Sequence, residues 1–234
     1  MLIAAVGLIG SGKDTVADHL ETHYGFRRES FASALKDAVA AVMGWDRELL
    51  EGKTATARAW REQVDTWWAE RLNIPQLTPR WVLQQWGTEV FRRNFHDDIW
   101  IASLENKLRK MYGNVVISDC RFPNEVAAAR KQNGLVIRVV RGEEPFWFPA
   151  AIEACQGSEE AKQFLKDNNV HESEWAWANT DFDVVLMNNG TLDELFAEVD
   201  VMLRTRSRES GHPVSTPVVG TWDRLDSWRT QSLS

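Results

Sequence analysis

A glycine-rich segment near the start of the chain carries the strongest chemical signal in the sequence. The segment Gly7-Leu8-Ile9-Gly10-Ser11-Gly12-Lys13 fits the spacing G-x4-G-K and lies between an apolar run and a helical pattern. Such a loop turns several backbone N–H groups toward one point at the positive end of the next helix, where the lysine adds a mobile cation. The pattern predicts a nucleotide-phosphate site formed by Gly10, Ser11, Gly12 and Lys13.

The residue after the loop lysine departs from the usual pattern. A serine or threonine normally stands there and ligates Mg²⁺, whereas this chain has Asp14, with Thr15 one position later. The Asp14 carboxylate could ligate the metal directly or through water, or it could favour the helix dipole as a first-turn acid. Thr15 could supply the hydroxyl instead. Both residues are therefore candidates for the nucleotide and for the metal.

A second group of polar residues follows the predicted strand 115–117. Asp119 and Arg121 come directly after this strand, and Pro123 begins a helical pattern. Because the carboxyl ends of strands in open α/β sheets face the ligand crevice, Asp119 is a candidate for Mg²⁺-bound water or a sugar hydroxyl, and Arg121 for a phosphate. The alternative is a plain turn in which Asp119 caps the next helix. A phosphate loop on a neighbouring strand favours the functional interpretation.

The helix predicted over 79–93 carries a polar row apart from its apolar stripe. Arg80, Gln84, Thr88 and Arg92 recur every fourth residue, so they drift only slowly around an α-helix. Guanidinium groups flanking an amide and a hydroxyl can bind a phosphate and the edge of a base. A solvated polar face explains the row equally well.

Three later segments supply further candidates. Arg141, with Arg138 second, ends a predicted strand before an aromatic segment, where cations can neutralise a transferred phosphoryl group from a moving lid; surface charge is the alternative. The run 171–174 has no partner at metal-ligand spacing. The turn at Asn188 precedes a helix and could contact adenine.

The elements that position these residues alternate between strands and helices. Strands are predicted at 2–6, 26–30, 115–117, 135–140 and 183–187, and helices at 12–24, 33–43, 55–72, 79–93, 98–111, 123–132 and 191–203. The order predicts an α/β fold with a five-stranded parallel sheet covered on both faces. Most of the tryptophans in the helical block 33–111 are expected to pack in its interior, and one or two could stack on a base. The tail from 205 to 234 is expected to be flexible or loosely docked.

Composition narrows the class of protein. The chain has 27 Lys and Arg against 34 Asp and Glu, for a net charge of −7, and no basic run. These values argue against a nucleic-acid binder, which needs a basic face, but not against a small anionic ligand. The two cysteines fit reduced thiols. Neither a signal peptide nor an 18-residue apolar run is found, so a cytoplasmic protein without a membrane partner is expected.

Six segments together resemble the phage-type deoxynucleoside monophosphate kinases. They are Gly-Ser-Gly-Lys-Asp-Thr (10–15), Phe-Ala-Ser-Ala-Leu-Lys (31–36), Leu-Gln-Gln-Trp-Gly-Thr-Glu (83–89), Ser-Asp-Cys-Arg-Phe-Pro-Asn-Glu (118–125), His-Glu-Ser-Glu (171–174) and Asn-Asn-Gly-Thr (188–191). The family also has Asp after the loop lysine. The resemblance covers about residues 1–203 and departs from the family pattern at Phe91, where glycine is common.

The resemblance implies phosphoryl transfer from ATP to a deoxynucleoside monophosphate with Mg²⁺, which supplies DNA precursors in the host cytoplasm if a phage encodes the chain. It implies a P-loop NTPase-type three-layer fold in a single domain, 1–204, with core segments 1–32, 112–142 and 181–204, a helical acceptor-binding insertion at 33–111 and a lid at 143–180. A homodimer is compatible with it.

The resemblance also assigns roles to residues, which are gathered here. Lys13, Asp119, Arg121 and Arg141 would be catalytic; Gly10, Ser11, Gly12, Lys13, Asp14, Thr15 and Asn188 would bind ATP; Asp14, Thr15 and Asp119 would serve the metal; and Lys36, Arg80, Gln84, Thr88, Arg92 and Trp100 would bind the acceptor. Two alternatives stay open: another small-molecule P-loop kinase, such as a dephospho-coenzyme A or phosphomevalonate kinase, and a nucleotide-binding regulator without catalysis.

Overall fold

A parallel five-stranded sheet forms the centre of the protein. The structure, a computed structural model, describes residues 1–210. The strands are β1 (Leu2–Val6), β2 (Arg27–Glu29), β3 (Val115–Ile117), β4 (Leu135–Val140) and β5 (Val184–Met187), in the sheet order β2-β3-β1-β4-β5. Every pairing is parallel. The predicted fold class is confirmed, and the strand that leads into the phosphate loop is the central one.

The helices occupy the connections between these strands. They are α1 (Lys13–Tyr24), α2 (Ser33–Met43), α3 (Arg47–Glu51), α4 (Ala55–Arg61), α5 (Thr66–Leu72), α6 (Pro79–Gln84), a π-helix (Gln85–Arg92), α7 (Ile99–Leu108), α8 (Pro123–Lys131), α9 (Phe148–Cys155), α10 (Glu159–Asp167), α11 (Glu172–Trp175) and α12 (Leu192–Ser210). No helix within 1–210 is long and apolar enough to cross a membrane.

Both faces of the sheet are covered, as a parallel sheet requires. Alternate residues of β1 point to opposite faces: Ile3 packs in a cluster with side chains of α1 and α12, whereas Ala4 packs in the larger cluster with α2, α7, α8 and α9. All five residues of β1 are buried. The phosphate loop therefore begins from a strand that is held on both faces and at both edges.

One predicted helix, 55–72, is two helices in the structure. Helix α4 ends at Arg61 and α5 begins at Thr66. Asp65 stands between them, where its carboxylate accepts hydrogen bonds from the backbone N–H of Trp68 at 3.1 Å and from the indole of Trp45 at 2.8 Å. A short polar side chain that satisfies a backbone donor favours a new N-cap over a continuous helix.

The helix predicted over 79–93 also differs, because it changes type at Gln85. Helix α6 is α-helical, and the following eight residues form a π-helix, in which each N–H bonds five residues back instead of four. The Gly87 carbonyl within it accepts a hydrogen bond from the Trp100 indole at 2.9 Å. A four-residue row cannot keep the same face across this change, so the predicted polar row is divided.

The remaining differences are helices that were not predicted and one helix that extends further than predicted. The mixed segment 143–180 contains α9, α10 and α11, and the short helix α3 was not predicted. The last helix continues past 205 to Ser210, so the first residues of the predicted tail are helical. Residues 211–234 of that tail lie outside the described residues.

Candidate active site

The loop between β1 and α1 has the backbone shape that its glycines allow. Gly10 and Gly12 have φ values of 78° and 107°, which L-residues with a side chain rarely adopt. A Cβ atom on Gly12 would also clash with the amide of Asn188. The loop ends at the first turn of α1, so its N–H groups and the helix dipole face the same point.

Asn188 anchors this loop from the end of β5. Its side-chain amide donates a buried hydrogen bond of 2.8 Å to the Ser11 carbonyl, and its backbone N–H donates to Val140 at 2.7 Å. The contact ties the phosphate loop to the far edge of the sheet. Asn188 thus has a positioning role here, and the predicted contact with the nucleotide stays a prediction.

Lys13 lies folded over the loop that precedes it. Its Nζ donates hydrogen bonds to the carbonyls of Gly7 and Leu8 at 2.8 and 2.7 Å. Burial, followed by the nearby positive charge of Arg121, lowers the pKa of Lys13 to about 8. The pKa of the amine is therefore close to neutral pH, and the amine lies within the loop that would bind phosphates.

The lowered pKa of Lys13 predicts a pH dependence of nucleotide capture. A cation whose pKa is near 8 is charged below that pH and neutral above it, so kcat/KM for ATP should fall as pH rises through about 8. Steady-state kinetics between about pH 6.5 and 9.5 measures this. Lys13→Arg, which stays charged across the range, is the control and should give a flat profile at reduced activity. A flat wild-type profile would contradict the prediction.

A cleft of about 640 Å³ opens beside the phosphate loop. Its walls come from the loop, from α6, from the end of β4 with the segment after it, and from the residues around α11. Among the residues that line it are Gly10, Ser11, Arg80, Gln84, Arg138, Arg141, His171 and Glu174. Five predicted site residues thus share one cavity: Gly10, Ser11, Arg80, Gln84 and Arg141.

Arginine side chains from two parts of the chain converge at this cleft through one carboxylate. Glu174 Oε1 lies 2.9 Å from Arg121 Nη1 and 3.6 Å from Arg80 Nη2. Arg61 lies near this pair: burial lowers the pKa of its guanidinium, and the charges of Arg80 and Arg121 lower it further. Its Nε is buried without a hydrogen-bond partner. Arg80 also lies 3.4 Å from the exposed carboxylate of Glu62. Three guanidiniums thus lie close together at the cleft, an arrangement that suits a phosphate dianion.

Arg138, within β4, and Arg141, directly after it, differ in their surroundings. Arg138 forms an ion pair with Glu144 and lies 4.9 Å from the ring centre of Phe148 and 5.3 Å from that of Trp177. Arg141 is exposed, lines the cleft, and has no ion pair among residues 1–210. Arg141 is the more available of the two for a transferred group.

The predicted metal-binding carboxylates are engaged with other protein groups. Asp14 accepts hydrogen bonds from Arg28 and from the Ser118 hydroxyl. Asp119 accepts from the backbone N–H groups of Phe31 and Ala32, each at 3.0 Å, and from the hydroxyl of Ser30 at 2.5 Å. Asp119 therefore links the end of β3 to the connection between β2 and α2, and it does not cap α8.

The contacts of Asp119 predict the effect of its replacement. Asp119→Asn exchanges one acceptor oxygen for a donor that faces an N–H or O–H group, which leaves a partly buried donor unpaired. We expect the free energy of unfolding to fall by about 1–3 kcal/mol, with no change in the Mg²⁺ concentration that supports half-maximal activity. Urea denaturation and a metal titration measure the two quantities. A shifted metal titration at unchanged stability would restore Asp119 as a ligand.

Arg92, which the sequence predicts to bind the acceptor, does not line the cleft. Its side chain is 4% exposed and is paired with Glu125, which is also 4% exposed. The guanidinium also donates to the Asp97 carbonyl at 3.1 Å and lies 4.0 Å from the ring centre of Phe122. The change to a π-helix turns this end of the row toward α8 rather than toward Arg80.

Three further acceptor candidates lie outside the cleft lining. Trp100 is buried, packs against the ring of Phe91 at 5.2 Å, and donates its indole N–H to Gly87. Thr88 is buried in the π-helix. Lys36 forms an ion pair of 2.7 Å with Glu51. Packing and internal pairing account for these side chains.

The described part of the chain contains no cluster of three or more His, Cys, Asp or Glu arranged for a metal. Mg²⁺ needs few protein ligands, because it keeps several waters and takes substrate phosphates as ligands. Thr15, in the first turn of α1, is half-buried, and its hydroxyl makes no hydrogen bond to another residue within 1–210. The Thr15 hydroxyl is therefore a better candidate for the protein ligand of Mg²⁺ than the carboxylates of Asp14 and Asp119, which are hydrogen-bonded to other protein groups.

Two phage enzymes are similar to this chain over most of its length. The deoxynucleotide monophosphate kinase of Enterobacteria phage T4 is 23% identical over 258 aligned positions, which cover 87% of this chain and 98% of that protein. The deoxynucleoside-5'-monophosphate kinase of Escherichia phage T5 is 30% identical over 200 positions, covering 62% of this chain and 80% of that protein. The chain belongs to the deoxynucleoside monophosphate kinase family. It is therefore a kinase that acts on small-molecule nucleotides.

Other comparisons add less to this assignment. No family model matches the chain. Among solved structures, shikimate kinase from Aquifex aeolicus aligns with a TM-score of 0.42 and 15% identity, covering 89% of this chain and 99% of that protein.

Two residues close to Arg80 and Arg121, Glu174 and Arg61, are not among the candidates that the sequence suggests. Glu174 belongs to the run 171–174, which has no metal-ligand spacing. That run contributes only to the resemblance to the deoxynucleoside monophosphate kinases. Arg61 is the last residue of α4, in a helical segment rich in tryptophan, so no local signal in the sequence distinguishes it. Both depend on contacts between distant parts of the chain.

Proposed function

We propose that the protein transfers the γ-phosphoryl group of ATP to a deoxynucleoside monophosphate, forming ADP and the deoxynucleoside diphosphate. The observation that carries this proposal is one cleft of about 640 Å³ lined both by the phosphate loop and by Arg80 and Arg141, with Arg121 paired to the cleft residue Glu174. A donor phosphate and an acceptor phosphate can meet there without crossing the protein. The names of the phage relatives support the nature of the acceptor.

Each part of the cleft has a task in this reaction. The loop N–H groups and Lys13 bind the ATP phosphates, and Arg80 with Arg121 binds the phosphate of the acceptor. A phosphate oxygen of the acceptor attacks the γ-phosphorus, the bond to the β–γ bridging oxygen breaks, and ADP leaves with that electron pair. The acceptor is already an anion, so positioning and charge supply most of the catalysis.

Arg141 and the metal complete the neutralisation of charge. Arg141 projects from the segment after β4, where it can approach the equatorial oxygens of the transferred group. Mg²⁺ would neutralise part of the charge of the ATP phosphates, and Thr15 would be its protein ligand. Gln84, also in the cleft wall, would contact the acceptor base through its amide.

An acceptor screen tests this proposal. ADP release from Mg²⁺-ATP is measured with dAMP, dGMP, dCMP, dTMP and 5-hydroxymethyl-dCMP, and in parallel with AMP, GMP, CMP, UMP, dephospho-coenzyme A and phosphomevalonate. We expect turnover with at least one deoxynucleotide, which would also define the base range. Turnover with dephospho-coenzyme A or phosphomevalonate instead would assign another acceptor, and ATP binding without any product would indicate a regulator.

A further inference from the structure

The carboxylate of Glu174 occupies an unusual position for an acidic group. It lines the cleft that would receive anionic nucleotides, and its side chain is 16% exposed. One of its oxygens is shared between Arg121 Nη1 at 2.9 Å and Arg80 Nη2 at 3.6 Å. A carboxylate in such a cleft repels an anionic ligand and weakens its binding. Its presence there therefore calls for a functional explanation.

The backbone that carries Glu174 is firmly held. The Glu174 carbonyl accepts a hydrogen bond from the Trp177 indole at 3.0 Å, and both Trp175 and Trp177 are buried. Glu172 on the same short helix forms an ion pair of 2.8 Å with Arg93, at the end of the π-helix. The carboxylate of Glu174 therefore comes from an anchored segment and is a fixed partner for the two guanidiniums.

The two arginines come from different parts of the chain. Arg80 is on α6 within the helical block between β2 and β3, whereas Arg121 follows β3 of the central sheet. Two guanidiniums that lie close together repel each other unless an anion lies between them. Arg80 also pairs with Glu62 at 3.4 Å, but within residues 1–210 only Glu174 pairs with both arginines. Glu174 supplies that anion before any ligand is bound.

We propose that Glu174 is a positioning residue that holds Arg80 and Arg121 together and exchanges with the acceptor's phosphate for these two guanidiniums. This inference rests on the proposed function, because it concerns the acceptor side of the same cleft. The exchange makes the site selective for charge: a phosphate dianion offers more than the single negative charge of the carboxylate, whereas an uncharged nucleoside offers none. Glu174 would thereby tune acceptor affinity downward and keep weaker anions out.

The test compares Glu174→Gln with Glu172→Gln, a matched control on the same helix whose carboxylate pairs with Arg93 instead. The KM for the deoxynucleoside monophosphate, the KM for ATP and kcat are measured for both. Inorganic phosphate is titrated by calorimetry into the ADP-bound protein, a reading that needs no turnover. Thermal melting establishes that each variant is folded, and Glu174→Ala replaces Glu174→Gln if the latter fails to fold.

We expect removal of the charge to tighten anion binding. In Glu174→Gln the acceptor KM and the dissociation constant of inorganic phosphate should each fall about tenfold, with the KM for ATP unchanged and kcat no higher than in the wild type. Glu172→Gln should resemble the wild type. An acceptor KM or phosphate constant that stays the same or rises in Glu174→Gln would overturn the proposal, since a merely structural role predicts weaker binding.

The two arms separate this inference from the proposed function. If the wild type phosphorylates no deoxynucleotide but phosphate still binds more tightly to Glu174→Gln, the proposed function fails and the role of Glu174 as a competing anion stands. If deoxynucleotides are phosphorylated and phosphate binding is unaffected by Glu174→Gln, the inference fails and the function stands.

Discussion

Replacing Lys13 with alanine should lower kcat by about three orders of magnitude while the protein stays folded. The lysine is the loop cation that would stabilise the negative charge of the transferred phosphoryl group. Loss of one such group at a preorganised site lowers the rate by about 10²–10³ or more. Its amine contacts only two carbonyls of its own loop, Gly7 and Leu8, among the described residues. Single-turnover and steady-state measurements of ADP formation quantify the loss.

Lys36→Ala is the matched control for this experiment. Lys36 was also predicted to bind substrate, but its amine is paired with Glu51 away from the cleft lining. We expect kcat of this variant within about threefold of the wild type, because the Lys36 amine does not line the cleft. Near-normal turnover of Lys13→Ala, or an equal loss in both variants, would remove the phosphate loop from the mechanism.

Replacing Arg92 with alanine should lower the free energy of unfolding by about 3–5 kcal/mol. The substitution would leave the Glu125 carboxylate buried without its cation, and breaking a buried pair by removing one partner has a cost of this size. Glu125 would retain only the backbone N–H groups of Arg121 and Phe122, at 2.7 and 3.1 Å. Urea denaturation followed by circular dichroism measures the change.

Arg93→Ala is the neighbouring control, because Arg93 is 56% exposed and pairs with Glu89 and Glu172 at the surface. Its loss should cost at most about 1 kcal/mol. The polar row in the sequence predicted that Arg92 binds the acceptor. If Arg92→Ala kept full stability and raised only the acceptor KM, that original prediction would be right and the buried pair would be irrelevant.

The sheet and the phosphate loop were predictable because their signals are local. Short apolar runs between turn residues indicate buried parallel strands, and the glycines of the loop are required by backbone shape at the positions where they occur. Asp119 and Arg121 were correctly placed at the carboxyl end of β3. The use of Asp119 could not be foreseen, because the three groups that it binds lie about 90 residues earlier in the chain.

The acceptor side was harder to predict because it depends on contacts across the chain. The regular spacing of Arg80, Gln84 and Arg92 predicts a single polar face only if the whole segment is one α-helix. The change to a π-helix at Gln85 divides that face. Trp100 is an aromatic side chain in a helical block, and spacing alone cannot tell a stacking residue from a core residue. Its buried hydrogen bond to Gly87 shows that it packs in the interior.

The most direct measurement is the identity of the phosphorylated product. The protein is incubated with Mg²⁺-ATP labelled at the γ-phosphate and with each deoxynucleoside monophosphate, and the products are separated by chromatography, with Lys13→Ala as the background. We predict that label appears in a deoxynucleoside diphosphate in an amount equal to the ADP formed. Label released only as inorganic phosphate, or none transferred in protein shown to bind ATP, would contradict the account.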